Sequence, residues 1–202
     1  MDLTGFFGMN AALSPLMPLW QAGELGAAHA VSTLHRDKRS HEADPMFKNA
    51  SAQAIEIGQS IAMTAASDAE GAEMMMADPM MVAVNTNKEH VQLAEFAAAR
   101  LRGDTRIASF SVSGWDTHLN QKGGIQNALR RLSDTILTLR AGLGPVWNNT
   151  AVLCLTEFGR TAAENGTKGT DHGMGGAMIY GGGALNGGRV LGDWPGLAEA
   201  DL

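Results

Sequence analysis

The sequence predicts an α/β fold built around apolar strands of a parallel sheet. Strand-like and helix-like segments alternate along the 202 residues. Two short apolar runs, Leu25–Val31 and 150–156, lack the alternation typical of a strand that faces water, so both are expected to be buried on both faces. Hydrophobic residues make up 45% of the chain, which is enough to fill a core.

Composition and charge limit what the chain can do. Its length suits a single domain over residues 1–202, since domains usually hold about 100 to 200 residues. The net charge is −6 and no basic stripe is present, which argues against nucleic acid as a partner. Cys154 is the only cysteine, so an internal disulfide is excluded. No apolar stretch reaches the roughly 20 residues of a membrane span, and residues 1–20 do not resemble a signal peptide.

The first half of the chain predicts a helix, a strand and a long loop. Asn10 can cap a helix whose apolar residues recur at three- and four-residue spacing. The strand Leu25–Val31 follows, and then residues 32–49 turn polar and mixed in charge, as in an exposed loop. Residues 52–66 fit a helix, whereas residues 70–84 fit either a helix end or a strand.

In the second half of the chain, predicted helices and strands alternate more clearly. Residues 87–101 predict a helix, and residues 106–112 predict a strand with β-favouring residues. The strongest helical periodicity in the chain runs over residues 125–143. Further strands are predicted at 150–156, 177–180 and 189–191.

Two Asp-His pairs stand in the loops that follow predicted strands. Asp116 and His118 come after the strand at 106–112, and Asp171 is followed directly by His172 in a glycine-rich loop. Ligands bind at the carboxyl ends of parallel strands, and carboxylate oxygen with imidazole nitrogen suits zinc or manganese. The pairs therefore predict one shared metal site, although loop-capping aspartates beside surface histidines fit the sequence equally well.

Two other groups could act on an anion. Glu157 and Arg160 follow the run at 150–156, where the guanidinium could hold an anionic oxygen or form a local salt bridge with the carboxylate. Ser40 and His41 place a hydroxyl beside an imidazole within a basic stretch, which fits either a nucleophile or a solvated loop.

An ordered set of motifs resembles a known family. The motifs are FFGMNAALSPL at 6–16, RSH at 39–41, GWDTH at 114–118 with Gln121, TEFGR at 156–160, ENG at 164–166 and GTDHG at 169–173. In that order and spacing they resemble the bacterial domain-of-unknown-function family 1501 (DUF1501), a sulfatase-like branch of the alkaline phosphatase superfamily. The resemblance is strongest from about residue 106 to 197 and over residues 6–41, and it is weak over residues 48–86.

The resemblance implies a fold and a location. The fold would be a three-layer α/β sandwich with a mostly parallel sheet, like that of alkaline phosphatase. Members are commonly exported, so an exported or periplasmic location is expected. This chain starts near the first helix and stops at Leu202, where members usually continue, so we expect a shortened or fragmentary member.

The resemblance also implies a reaction and site residues. Better-known relatives hydrolyse phosphate or sulfate esters at a divalent-metal site, so a small anionic ester is the expected substrate and zinc, manganese or calcium the expected ion. A non-catalytic exported binding or scaffold protein, or an inactive fragment of the same fold, is the alternative. The expected roles are metal ligation by Asp116, His118, Asp171 and His172, nucleophilic attack by Ser40 or a metal-activated water, anion binding by Arg160, and accessory roles for His41 and Glu157.

Overall fold

A computed structural model of the chain describes residues 1–31, 54–57, 88–156, 158–173, 175–194 and 196. Contacts divide the chain into two compact units. The first unit comprises Met1–His41, Gly114–Arg130 and Trp147–Leu202, and the second comprises Glu42–Ser113 and Arg131–Val146. The prediction of a single domain over residues 1–202 stays a prediction.

Three α-helices occur in the described residues. The first, α1 (Met17–Gln21), continues a 3₁₀ turn over Ala11–Leu16 that Asn10 caps as predicted, with its side-chain oxygen accepting from the Ala12 amide at 2.9 Å. The other two confirm the helical periodicity of the sequence. They are α2 (Glu89–Leu101) and α3 (Gln121–Leu143), and a 3₁₀ turn over Gly144–Asn149 follows the latter.

The strands form three sheets in the described residues. A four-stranded sheet has the order β4–β7–β1–β8, a parallel pair joins β2 to β3, and an antiparallel pair joins β5 to β6. The strand bounds are β1 Leu25–Val31, β2 Ala54–Ile57, β3 Ile107–Phe110, β4 Val152–Cys154, β5 Gly159–Arg160, β6 His172–Gly173, β7 Gly176–Gly181 and β8 Val190–Leu191.

The four-stranded sheet confirms the mixed helix and strand content but is not mostly parallel. Strand β7 runs antiparallel to both β4 and β1, and only the β1–β8 pairing is parallel. The expected burial of residues 150–156 was also wrong, because β4 is the end strand of this sheet among the described residues and Leu153 is 53% exposed. A short apolar run in the sequence indicates that a strand is hydrophobic. It does not indicate whether the neighbouring strands run parallel or antiparallel, or whether the strand lies at the edge of its sheet.

The helix predicted over residues 52–66 was wrong where the structure describes it. Residues Ala54–Ile57 form β2, which pairs in register with Ile107–Phe110. Their sequence alternates two β-branched isoleucines with other residues, which favours an extended strand. The predicted loop at 32–49 and the ambiguous segment at 70–84 lie outside the described residues.

The first unit buries apolar side chains from segments that are distant in sequence. Trp147 is 3% exposed, and its indole nitrogen donates to Glu24 Oε2 at 2.9 Å. Strand β1 approaches β7 closely, because a side chain at Gly26 would collide with the Tyr180 ring. The other buried apolar residues of this unit are Leu13, Leu16, Leu19, Trp20, Leu25, Ala28 and Ala128.

The second unit packs α2 and the later part of α3 through small and apolar residues. A Cβ added at Gly142 would lie 2.7 Å from the Cβ of Ala98, so the two helices approach without room for a methyl group. Among the described helices, none has the length and apolar content that a transmembrane span requires. The buried apolar residues of this unit are Ala94, Ala97, Ala98, Leu132, Ile136, Leu139 and Leu143.

Candidate metal centre

The strand pair β5–β6 and the segment before α3 place the polar side chains of the candidate site, all within the first unit. Arg160 lies directly opposite His172 in the antiparallel pairing, so both side chains project from the same face. Asp116 and His118 belong to an irregular segment that begins at Gly114, whose φ of 104° favours glycine. The motif GWDTH at 114–118 therefore lies beside the motif GTDHG at 169–173, although about 50 residues separate the two in sequence.

Three ligand atoms converge. Asp116 Oδ1 lies 3.0 Å from His118 Nε2 and 3.1 Å from His172 Nε2. One ligand atom from each of the three residues lies within 4.8 Å of the other two, which is close enough for a metal ion. We call these three residues the candidate metal centre.

The fourth predicted ligand faces a different atom. Asp171 Oδ1 lies 3.4 Å from His118 Nδ1, the ring nitrogen that does not face Asp116. The structure thus brings both predicted Asp-His pairs together at His118. Direct ligation by Asp171 stays a prediction, because Asp171 is not one of the three converging residues.

Arg160 donates hydrogen bonds to the segments on either side of the candidate metal centre. Its NH2 group donates to Asp116 Oδ1 at 2.6 Å and to the Trp115 carbonyl at 2.9 Å. Its NH1 group donates to the Thr170 carbonyl at 2.8 Å, and the side chain is 20% exposed. The guanidinium therefore ties the two ligand-bearing segments together.

The neighbouring charges and hydrogen bonds favour the ionised carboxylates. The pKa of Asp116 is lowered, first by its hydrogen bond with His172 and further by Arg160 and His118. The pKa of Asp171 is lowered, first by a hydrogen bond from Asn165 and further by His118. Both groups are more than half exposed, so water screens these interactions.

Phe158 lies in a stack of rings that the sequence analysis missed. Its ring is stacked on His172 at 4.4 Å and 5°, and the Arg160 guanidinium covers it at 4.7 Å. His172 in turn stacks on His118 at 4.8 Å. The only signal in the sequence was an aromatic residue inside the motif TEFGR, which composition alone does not distinguish from a core residue.

Asn165 was also missed, and it organises the loop that precedes Asp171. Its Nδ2 donates to Asp171 Oδ1 at 3.0 Å and to the His118 carbonyl at 3.1 Å. Its Oδ1 accepts from the amides of Thr167 and Gly169, both at 3.0 Å. The signal for it was its place in the motif ENG, which belongs to the family set but carries no titratable chemistry of its own at this residue.

Gly169 permits a close backbone approach between this loop and the segment of His118. A Cβ at Gly169 would collide with the His118 carbonyl group. Thr170 continues the contact, because its amide donates to the Thr117 carbonyl and its hydroxyl to Gln121 Oε1 at 2.7 Å. The loop can therefore place its side chains against His118 only if residue 169 lacks a side chain.

Three of the predicted site residues cannot be placed. Ser40, His41 and Glu157 lie outside the described residues, so the predicted nucleophile and both accessory residues stay predictions. The remaining five predicted site residues, Asp116, His118, Arg160, Asp171 and His172, lie in one network of contacts.

Comparison with known proteins supports the resemblance found in the motifs. A protein-family model matches residues 10–202, nearly the whole chain, and the family is described as "Protein of unknown function (DUF1501)". The match includes every residue of the candidate metal centre. No curated protein and no solved structure shows a significant match.

Proposed function

The chain belongs to the DUF1501 family, and from its candidate metal centre and the resemblance of its motifs we propose that it is a metal-dependent hydrolase of phosphate or sulfate esters with an alkaline-phosphatase-like fold. The observation that carries this proposal is the convergence of Asp116, His118 and His172 from two distant motifs. A chance arrangement of loop-capping aspartates and surface histidines would not require the ligand atoms of both motifs to face one another.

The donor set fits some divalent ions better than others. Two imidazole nitrogens and one carboxylate oxygen suit zinc, and also manganese, whereas calcium prefers oxygen ligands throughout. All three side chains retain access to solvent, with exposed fractions of 57% for Asp116, 45% for His118 and 20% for His172. A cation and a small ester could therefore both reach them from water.

Each residue has a distinct role in this proposal. Asp116, His118 and His172 would hold the ion, which supplies Lewis-acid polarisation of a phosphoryl or sulfuryl oxygen. Arg160 donates a hydrogen bond to Asp116 and fixes the two segments that carry the ligands. The proposed nucleophile is Ser40, outside the described residues.

A second candidate function is metal binding without catalysis, as in an exported binding or scaffold protein. It is favoured by the bonding of Arg160, since three of its hydrogen bonds go to the protein itself. An arginine engaged in this way has fewer donors to offer an anionic substrate. Turnover measurements separate this function from hydrolysis.

The test combines metal content with turnover. We expect the purified full chain to hold near-stoichiometric zinc or manganese by plasma mass spectrometry, and the variants Asp116→Ala and His172→Ala to lose it, since each removes one of three ligands. Aryl phosphate and aryl sulfate turnover is measured on the same samples. Asp104→Ala, which removes an exposed carboxylate of the second unit, is the matched control and should keep the metal.

The outcomes distinguish the candidates. Metal with turnover supports the hydrolase, and metal without turnover supports the binding protein. A folded chain that takes up no metal, even after incubation with zinc or manganese, would overturn both.

A further inference from the structure

His118 contacts carboxylates at both ring nitrogens. Asp116 Oδ1 lies 3.0 Å from Nε2, and Asp171 Oδ1 lies 3.4 Å from Nδ1. A neutral imidazole carries one proton, so one nitrogen donates a hydrogen bond while the other offers a lone pair. The carboxylate that accepts the proton therefore decides which nitrogen can bind a cation.

Asp171 lies on the side of the ring that faces away from the candidate metal centre. The Nε2 atom of His118 lies beside Asp116 Oδ1 of the candidate metal centre, whereas Nδ1, on the other side of the ring, faces Asp171. A cation held by the three converging atoms would leave Asp171 in contact with Nδ1. In that position a carboxylate accepts the Nδ1 proton and orients the ring.

Asp171 is itself held in place. Asn165 Nδ2 donates to Asp171 Oδ1, the same oxygen that faces His118. The Asn165 amide is fixed in turn by two backbone amides and by the His118 carbonyl. The side chain and the main chain of His118 are thus both connected to Asn165, one through Asp171 and one directly.

From this arrangement we propose that Asp171 and Asn165 are positioning residues for His118, and that Asp171 is not a fourth metal ligand. Asp171 accepts the Nδ1 proton, which leaves the Nε2 lone pair directed at the cation, and Asn165 holds Asp171 at the distance this requires. The inference rests on the proposed metal site. It differs from the sequence-based expectation, in which Asp171 binds the ion directly.

The two roles predict different spectra for a Co²⁺-substituted protein. If Asp171 acts through His118, then Asp171→Asn keeps an oxygen that accepts from Nδ1, so the d–d absorption bands should stay at their wild-type wavelengths and most of the affinity should remain. Asp171→Ala should weaken Co²⁺ binding about 10- to 100-fold, the usual effect of removing such a partner, with the band positions again unchanged. Asn165→Ala should weaken binding in the same direction.

The experiment is a Co²⁺ titration of the full chain, followed by visible absorption, with far-ultraviolet circular dichroism to show that each variant is folded. Asp116→Asn provides the reference for loss of a direct ligand. Glu164→Gln, an exposed carboxylate next to Asn165, is the control for loss of charge on the same loop and should match the wild type.

Failure of this inference can be told apart from failure of the metal site. If the wild type binds Co²⁺ but Asp171→Asn shifts the bands or loses binding as Asp116→Asn does, Asp171 is a direct ligand and the inference is overturned. Unchanged affinity in Asp171→Ala would also overturn it. A folded wild type that binds no Co²⁺ would instead overturn the proposed metal site, and this inference with it.

Discussion

At the scale of single residues, the candidate metal centre depends on groups that have no ligand chemistry. The Phe158 ring stacks on His172, and the Arg160 guanidinium lies over the same Phe158 ring. Gly169 lets the loop backbone reach the His118 carbonyl. Ligand atoms must be held to a fraction of an ångström for metal binding, so the residues that fix them contribute as directly as the ligands.

Gly169 offers a prediction with a control on the same loop. We expect Gly169→Ala to weaken metal binding and to destabilise the chain by about 1–3 kcal/mol, since the added methyl group collides with backbone that cannot rotate away. Gly166→Ala should leave both unchanged, because a Cβ there meets no atom within 4 Å. Urea denaturation and zinc titration of the two variants measure the effects. Equal behaviour of the two would show that the close approach is unimportant.

At the scale of secondary-structure elements, α3 uses its glycines in two different environments. A Cβ at Gly123 would lie in open space, whereas a Cβ at Gly142 would meet Ala98 on α2. Alanine is favoured over glycine inside a helix by about 1 kcal/mol when nothing else changes. Replacing glycine by alanine at each position therefore separates the effect of helix propensity on stability from the effect of packing.

We expect Gly123→Ala to raise the free energy of unfolding by up to about 1 kcal/mol, from helix propensity alone. Gly142→Ala should lower the free energy of unfolding, because the overpacking cost of about 1–3 kcal/mol exceeds the gain in helix propensity. Thermal and urea unfolding of both variants measure the difference. A stabilised Gly142→Ala would contradict the close approach of α2 and α3.

At the scale of the whole molecule, stability should depend on pH through the lowered carboxyl pKa values. The pKa values of Asp116 and Asp171 lie below their ordinary value of 3.8. In the unfolded chain each carboxyl takes up its proton at the higher, ordinary pKa. The stabilisation is therefore fully present above about pH 4 and is lost as the pH falls through the folded-state values.

The measurement is the urea midpoint of the metal-free chain at pH 6 and pH 3. We expect the wild type to lose more stability between these pH values than the double variant Asp116→Asn, Asp171→Asn. Asp104→Asn controls for the loss of a negative charge elsewhere on the chain. An identical pH dependence in the wild type and the double variant would contradict the favourable contacts of these carboxylates.

Local pattern predicted much of the fold and part of the site. Periodicity placed α2 and α3, and the apolar run gave the observed bounds of β1, because these signals depend on neighbouring residues. The direction of β7 and the edge position of β4 depend on pairing between distant segments, which periodicity does not report. The Asp-His motifs pointed to a shared site, but the side of His118 that Asp171 faces is set by ring orientation, which spacing does not encode.

The pairing of β1 also has a consequence for biosynthesis. Leu25 pairs with Gly181, and Ala27 pairs with Val190, so both neighbours of β1 in the sheet come from the last part of the chain. A ribosome adds about 5–20 residues per second, so a newly made β1 waits on the order of 10 s before either partner exists. During that interval an apolar strand is exposed, and we expect nascent chains to depend on a chaperone that shields it.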